Sequence, residues 1–269
     1  MLVIGERINA SNKSVGEAIA SRDREFVENI ARAQAAAGAD FIDVNAGVGR
    51  SGEQHETAAM EWLVEVVQEA TDTPLAIDSA APDVIEAALH KYRGERLVIN
   101  SVTAEPAKLA SIGPLAAESQ AWLVALTMGT EGIPDSVEQR LAACELIITH
   151  LTRLGVQAEQ ILFDPLVLPI SVDSRQALVT LNTIEQIKAR YPDTRTVIGL
   201  SNISYGLPNR KLVNRAFLLM AAYAGLDAVI LDPLDAKAMS LTKVADMLTG
   251  KDLSCRDYLR AHRKGTIVD

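Results

Sequence analysis

The heptapeptide AGADFID at positions 37–43 shows how this chain passes from helix to strand. Residues with helical spacing precede it, Gly38 stands where a helix would end, and an apolar run begins at Phe41. The heptapeptide AGLDAVI at positions 224–230 repeats this order of features near the other end of the chain. Each heptapeptide therefore predicts a helix that stops at a glycine turn and leads into a buried strand.

Short apolar runs like the one after Gly38 recur along the whole chain. They lack the polar–apolar alternation of a half-exposed strand, so each predicts a strand that is buried on both faces. The runs lie at positions 2–4, 41–44, 75–77, 97–99, 122–126, 161–163, 197–200 and 228–231. Longer segments with helical spacing separate them, and Asp23 is a good N-cap for one of these helices.

Eight strands that alternate with helices over 269 residues fit an α/β fold, the (β/α)8 TIM barrel. A doubly wound open sheet is the alternative, but it would require a glycine-rich loop after the first strand. The segment GERIN at positions 5–9 is not such a loop, and this favours the barrel. No linker or low-complexity segment divides the chain, so we expect one domain over positions 1–269.

Composition excludes several classes of function. The net charge of -9 and the pI of about 5.0 argue against a protein that binds nucleic acid. No uncharged apolar stretch reaches the roughly 18 residues of a membrane span. The two cysteines, Cys144 and Cys255, are far apart, and the first residues do not resemble a signal peptide. We therefore expect a reducing, cytoplasmic setting with no membrane contact.

Polar residues follow the apolar runs, at the end of the barrel where such enzymes have their active sites. A single one of them would commonly be a helix cap, but together their side chains would converge on one mouth. A mouth rich in carboxylates and amides suits a heterocycle with many N–H and C=O groups. The polar residues are Glu6, Arg7, Asn9, Asp43, Asn45, Asp78, Ser79, Asn100, Ser101, Thr127, Asp164, Ser201, Asn202 and Asp232, and Met128 follows Thr127.

Motifs for other chemistries are absent from the sequence. The four histidines (His55, His90, His150 and His262) do not follow any apolar run, and no Cys/His cluster with zinc spacing occurs. Neither a phosphate-binding P-loop nor a serine-nucleophile elbow appears. The acidic residues of the mouth would permit Mg²⁺ by their number, but asparagines take the places of the further carboxylates that a cation prefers. We expect no bound metal.

A specific set of motifs follows the strands in order over nearly the whole chain. Together they resemble the methyltetrahydrofolate:corrinoid protein methyltransferases of the pterin-binding barrel superfamily, although Tyr205 stands where that family has Gln. Dihydropteroate synthases and the folate domain of cobalamin-dependent methionine synthase are more distant relatives. The motifs are GERIN at 5–9, DVN at 43–45, IDS at 77–79, INS at 99–101, LTM at 126–128, FDPL at 163–166, GLSNIS at 199–204 and NRKLVNR at 209–215.

The resemblance implies that a pterin is held in the barrel mouth. Asp164 would read its 2-amino and N3–H edge, and Asp78 and Asn100 would bond other ring nitrogens. Asn202 would reach N5, the atom that carries the methyl group, so Asn202 and Asp78 are the expected catalytic residues. The other folate-binding residues that we expect are Gly199 and Ser201 beside Asn202, Arg210 near the folate tail, and Glu6, Asp43, Asn45 and Met128.

The implied reaction moves a methyl group between 5-methyltetrahydrofolate and the cobalt of cobalamin, in a direction that the residues leave open. This chain has no DxHxxG corrinoid motif, so the cobalamin would be supplied by a partner, a separate corrinoid protein that docks at the mouth. The apolar helix at 212–223 and the family both suggest a homodimer.

Two alternative functions stay open at this stage. A dihydropteroate-synthase-like pterin enzyme would need an NVTPDSF-type first loop, whereas NASNK occupies positions 9–13. A non-catalytic folate-binding protein would need Asp164 and Asn100 but would tolerate the loss of Asn202.

Overall fold

The computed structural model describes residues 1–47 and 53–268, with the backbone alone at 53–55. Eight parallel strands close into a barrel in chain order, and the last strand pairs with the first. This confirms the (β/α)8 barrel. The strands are β1 (Leu2–Asn9), β2 (Phe41–Asn45), β3 (Leu75–Asp78), β4 (Leu97–Thr103), β5 (Trp122–Leu126), β6 (Ile161–Asp164), β7 (Arg195–Gly199) and β8 (Ala228–Leu231).

Helices connect the strands, with two after β1 and two after β8. None of the helices within the described ranges is long and apolar enough to cross a membrane. The helices are α1 (Lys13–Ser21), α2 (Arg24–Ala36), α3 (Glu53–Ala70), α4 (Pro82–Lys91), α5 (Pro106–Ser119), α6 (Val137–Arg153), α7 (Gln176–Arg190), α8 (Arg210–Tyr223), α9 (Ala236–Leu248) and α10 (Arg256–Arg263). Short 3-10 turns occupy Ala158–Gln160, Leu200–Ser204 and Leu253–Cys255.

The two heptapeptides form the helix-to-strand joints that their sequences predict. Gly38 and Gly225 both have positive φ angles, +92° and +109°, which glycine adopts without steric cost. The aspartate of each heptapeptide then binds a neighbouring strand. Asp40 Oδ2 accepts from the backbone N–H of Val3 (2.8 Å), and Asp227 Oδ2 accepts from that of Thr196 (3.0 Å). Each joint therefore also aligns its strand with the strand that precedes it in the chain.

Apolar side chains fill the inside of the barrel. One cluster takes a single residue from each strand, and each of these residues is at most 1% exposed. Two larger clusters pack the strands against the surrounding helices. A barrel filled in this way is not a pore, so ligands can bind only at its ends. The interior cluster is Ile4, Phe41, Ala76, Val98, Val124, Leu162, Val197 and Ala228.

Six of the eight strands end at positions that differ from the sequence prediction, and β2, β3 and β6 each continue one residue further. β1 continues to Asn9 and β4 to Thr103, and both contain a register shift, between Gly5 and Ile8 and between Asn100 and Val102. Such bulges turn side chains toward new directions. Glu6 and Asn100 therefore lie within strands and not after them. β7 ends at Gly199, because a 3-10 turn begins at Leu200.

The bulge in β1 encloses a buried side chain from α2. Gln34 is fully buried, and its Oε1 accepts a hydrogen bond from the backbone N–H of Arg7 (3.1 Å). A Cβ atom on Gly5 would lie 2.4 Å from this oxygen and 3.0 Å from Cγ of Pro233. Only glycine therefore fits at position 5 while Gln34 keeps its bond.

We expect Gly5→Ala to lower the free energy of unfolding by about 1–3 kcal/mol, because overpacking must displace Gln34 or the bulge. Urea unfolding of both proteins measures this difference. Gly129→Ala is the control, because its Cβ would meet Ala104 Cβ at an ordinary 3.8 Å. Equal unfolding midpoints for Gly5→Ala and wild type would contradict this account of the bulge.

Candidate functional site

The polar strand-end residues lie together at the C-terminal mouth of the barrel. Strand pairing sets Asp78 beside Asn100 and Leu126 beside Asp164, so that consecutive strands present their polar groups at the same height. Asn45 is in register with Asn9 on the other side of β2. The ring is therefore a consequence of parallel strands that end at one level.

Two amide–carboxyl pairs link β2, β3 and β4. Asn45 Nδ2 donates to Asp78 Oδ2 (2.8 Å), and Asn100 Nδ2 donates to Asp43 Oδ1 (3.1 Å). The carboxyl groups of Asp43 and Asp78 also lie close enough for a hydrogen bond between them. Since a carboxylate can only accept, such a bond requires a proton on one of the two acids.

Burial raises the pKa of both carboxyl groups, and this favours their protonated forms. Asp43 is only 3% exposed, and burial, followed by the negative charge of Asp78, raises the pKa of Asp43 well above its usual range. Burial also raises the pKa of Asp78, although the hydrogen bond from Asn45 opposes this. Burial and the negative charge of Asp78 therefore favour the protonated form of Asp43, and burial favours the protonated form of Asp78 as well.

A second group of contacts joins β1 to the turn after β7. Glu6 Oε2 accepts from Ser201 Oγ (3.3 Å), and burial raises the pKa of Glu6 to about 7. Arg210, the first residue of α8, donates from Nη2 to the backbone oxygen of Ser201 (2.7 Å) and from Nε to Ser204 Oγ (3.1 Å). The guanidinium of Arg210 therefore stabilises the turn that carries Asn202.

The third part of the mouth comprises the ends of β6 and β7 and the residues after β5. In the described part of the chain, its side chains make no hydrogen bonds to the other two groups of site residues. Asp164 is half-buried, its Oδ1 accepts from the backbone N–H of Leu166 (2.7 Å), and burial raises its pKa to about 6. Asn202 is exposed, and its amide bonds to none of the residues that the structure describes. A Cβ at Gly199 would lie 3.2 Å from Asn202 Nδ2, so a glycine leaves that amide room.

The expected site residues thus form two bonded groups and one unbonded set. Asp43, Asn45, Asp78 and Asn100 form the first group, and Glu6, Ser201 and Arg210 form the second. Within the described residues, no side-chain hydrogen bond joins Asp164, Met128, Gly199 or Asn202 to either group. The same part of the chain contains no group of three or more His, Cys, Asp or Glu side chains placed to hold a metal ion.

Comparison with known proteins agrees with this geometry. A family model described as "Pterin binding enzyme" matches residues 5–232. The methylcorrinoid:tetrahydrofolate methyltransferase of Eubacterium limosum is 36% identical over 269 residues, which cover 99% of this chain and 98% of that protein. The chain belongs to this family of pterin-binding enzymes.

The chain is also similar to a much larger enzyme and to solved structures of low sequence identity. Methionine synthase of Mycobacterium tuberculosis is 34% identical over 86% of this chain, which corresponds to 20% of that larger protein. Two dihydropteroate synthase structures share the fold at low identity. The Yersinia pestis enzyme with a pterine–sulfa conjugate has a TM-score of 0.67 at 17% identity, over 93% of this chain and 94% of that chain. The Xanthomonas albilineans enzyme with 7,8-dihydropteroate has a TM-score of 0.67 at 18% identity, over 91% and 92%.

The candidate site also involves buried polar residues that the sequence interpretation missed. Glu56 is 5% exposed, and its Oε1 accepts from Ser79 Oγ (2.7 Å) beneath Asp78. A signal was available, because Glu56 lies one helical turn before the buried Met60 in α3. Arg140 in α6 and Gln34 in α2 are likewise polar residues on buried helix faces. The side chain of His55, one of the four histidines, lies outside the described residues.

We expect Asp43→Asn to gain stability relative to wild type as the pH rises. Because the pKa of Asp43 is raised on folding, the wild-type folded state holds a proton that the unfolded chain releases above its own pKa of about 4, so its stability falls with increasing pH. The asparagine keeps an acceptor for Asn100 and does not titrate. Urea unfolding near pH 8 should show a gain on the order of 1 kcal/mol that is absent near pH 4.

Asp193→Asn, which removes an exposed carboxyl group, is the matched control. A loss of stability in Asp43→Asn that is the same at both pH values would contradict the raised pKa of Asp43.

Proposed function

We propose that this chain transfers a methyl group between N5 of tetrahydrofolate and the cobalt of a corrinoid carried by a separate protein. The observation that carries the proposal is the match over 99% of the chain to a methylcorrinoid:tetrahydrofolate methyltransferase, together with a mouth of carboxylates and amides. We also propose that positions 1–269 form one pterin-binding domain and that the protein acts in the cytoplasm.

The pterin ring would bind across the mouth. Its 2-amino and N3–H groups are two adjacent donors, which a carboxylate matches with two short hydrogen bonds, and we assign this role to Asp164. Asp78 and Asn100, adjacent in register on β3 and β4, would bond the remaining ring nitrogens. Met128, which lies two residues after β5 and whose backbone oxygen accepts from Ala104 N (2.7 Å), would line the apolar face of the ring.

Asn202 is the side chain assigned to N5. Methyl transfer from a tertiary amine leaves electron density on nitrogen, so a hydrogen bond to N5 gains strength as the C–N bond breaks. An amide can donate or accept, which suits transfer in both directions. The corrinoid supplies the cobalt that takes or gives the methyl group. Asp78 is the second catalytic residue that we propose, because a hydrogen bond with Asp43 would let it respond to charge changes on the ring.

The rim of the mouth would bind the rest of the folate and the partner. Arg210 lies at the start of α8 with its guanidinium at the surface, where an anionic folate tail could reach it. Glu6 and Ser201 lie between that arginine and the barrel axis. The methyl group must reach cobalt directly, so the corrinoid protein would dock over this same rim.

The direct test mixes the protein with 5-methyltetrahydrofolate and reduced cobalamin and follows the absorption spectrum of the corrinoid. Formation of methylcobalamin at a rate that depends on protein concentration supports the proposal. Tight folate binding without methyl transfer would indicate a folate-binding protein, and formation of dihydropteroate from a pterin pyrophosphate and p-aminobenzoate would indicate the synthase reaction.

In this assay we expect Asn202→Ala to reduce the rate of methyl transfer by about 10²–10³, because it removes a hydrogen bond that matters in the transition state. Its dissociation constant for folate should change much less than that of Asp164→Ala, which loses the ring acceptor. Stopped-flow rates and folate binding titrations provide the two readouts. Equal rates for Asn202→Ala and wild type would refute the role of Asn202.

We also propose that the protein is a homodimer through α7 and α8. Leu178, Met220 and Tyr223 are 59%, 48% and 84% exposed along one groove, an apolar face that a second copy would cover. Light scattering after size exclusion should show a dimer for wild type and a monomer for Tyr223→Glu. Leu248→Glu is the control, because Leu248 is 72% exposed at the end of α9 and away from the groove. A wild-type monomer would contradict the dimer.

A further inference from the structure

Arg140 is the largest side chain that the structure buries completely, and it makes no ion pair with the described residues. Its guanidinium instead donates to backbone oxygens. Nη1 donates to Pro165 O (2.7 Å) and Leu166 O (3.0 Å), and Nε donates to Pro134 O (3.2 Å). Nη2 donates to Gln176 Oε1 (2.9 Å). Burial of a cation costs free energy unless charge and hydrogen bonds compensate it, so this arrangement requires an explanation.

These bonds hold the turn that follows Asp164. Leu166 has a φ of +65°, a conformation that a branched side chain rarely adopts. Its oxygen accepts from Arg140 and from Thr180 Oγ1 (2.9 Å), while its N–H donates to Asp164 Oδ1 (2.7 Å). The turn is therefore fixed by Arg140 on one side and by the Asp164 carboxylate on the other.

Charge connects the same two residues without direct contact. Burial raises the pKa of Asp164, whereas the hydrogen bond from the Leu166 N–H and then the positive charge of Arg140 lower it. In return, the negative charges of Asp164 and Asp135 favour the charged form of the buried guanidinium, whose pKa burial lowers. Asp164 is thus the carboxylate in the mouth that balances Arg140, although the bonds between them pass through the backbone of Pro165 and Leu166.

We propose that Arg140 is a positioning residue for pterin recognition, because it fixes the turn that aims the Asp164 carboxylate and supplies the positive charge that balances it. The inference rests on the proposed function, since it assumes that Asp164 reads the pterin. Arg140 lies on the far side of the turn after β6 and does not contact the ligand itself.

The test measures the dissociation constant for tetrahydrofolate by titration between about pH 5.5 and 8.5. Wild-type affinity should fall as the pH drops through about 6, where Asp164 gains a proton. Glu6, Asp43 and Asp78 also have raised pKa values and face the same mouth. The variant Asp164→Asn measures the contribution of these three acids, because any pH dependence of the affinity that remains in this variant is due to them.

Removal of the positive charge of Arg140 should shift the pH at which the affinity for tetrahydrofolate falls, and not merely weaken binding. In Arg140→Met the fall in affinity should begin at a higher pH. For a shift of about one pH unit, binding would be about twofold weaker at pH 7, about eightfold weaker near pH 5.5 and close to wild type near pH 8.5. Arg140→Lys keeps the charge but loses the forked bonds, so its affinity should be lower at every pH with an unchanged midpoint. Thr180→Val removes one bond from the same turn and should also leave the midpoint in place.

Arg140→Gln replaces Arg140→Met if the latter does not fold, as judged by circular dichroism and thermal unfolding, because glutamine keeps a donor for the turn. An unmoved midpoint in the neutral variant overturns the role of Arg140 alone. Absence of tetrahydrofolate binding by the wild type at every pH overturns the proposed function and this inference together.

Discussion

The closed barrel constrains everything else in this protein, because its strands are buried on both faces and its interior is filled by one apolar residue from each strand. A polar side chain in the filled interior would meet neither water nor a partner. The polar side chains of the candidate site therefore lie toward the C-terminal ends of the strands. At the C-terminal mouth they are close enough to bond across strands, as Asn45 does with Asp78 and Asn100 with Asp43.

Much of this arrangement could be predicted from the sequence, because it depends on local patterns. A short apolar run with no alternation indicates a buried strand, and a glycine such as Gly38 marks the joint before it. The bulges in β1 and β4 could not be predicted in this way. The bulge after Gly5 depends on Gln34, a side chain from another element, which accepts the N–H of Arg7. Contacts between elements leave no periodic signal in the strand itself.

The candidate site also has residues that could be predicted from the sequence and residues that could not. The residues that a ligand would touch follow strands and could be named from the sequence, whereas the residues that hold them, Glu56 and Arg140, lie on helices. Both occupy buried helix faces, where a polar residue breaks the apolar stripe. The pattern shows that such a residue needs a partner, but it does not show which one. The partners, Ser79 and the backbone after Asp164, lie 23 to 26 positions away in the chain.

Burial gives the mouth its chemical character. It raises the pKa of Asp43, and it raises the pKa of Glu6 to about 7 and that of Asp164 to about 6, so Glu6 and Asp164 change charge close to neutral pH. An acid with such a pKa can accept from an N–H group when ionised and donate to a ring nitrogen when protonated. A pterin offers both kinds of nitrogen on one small ring. Positive charge is supplied from outside the ring of acids, by Arg140 beneath the β6 turn and Arg210 at the rim. The proposed site therefore combines acids that can follow proton changes on a substrate with cations that fix the backbone around them.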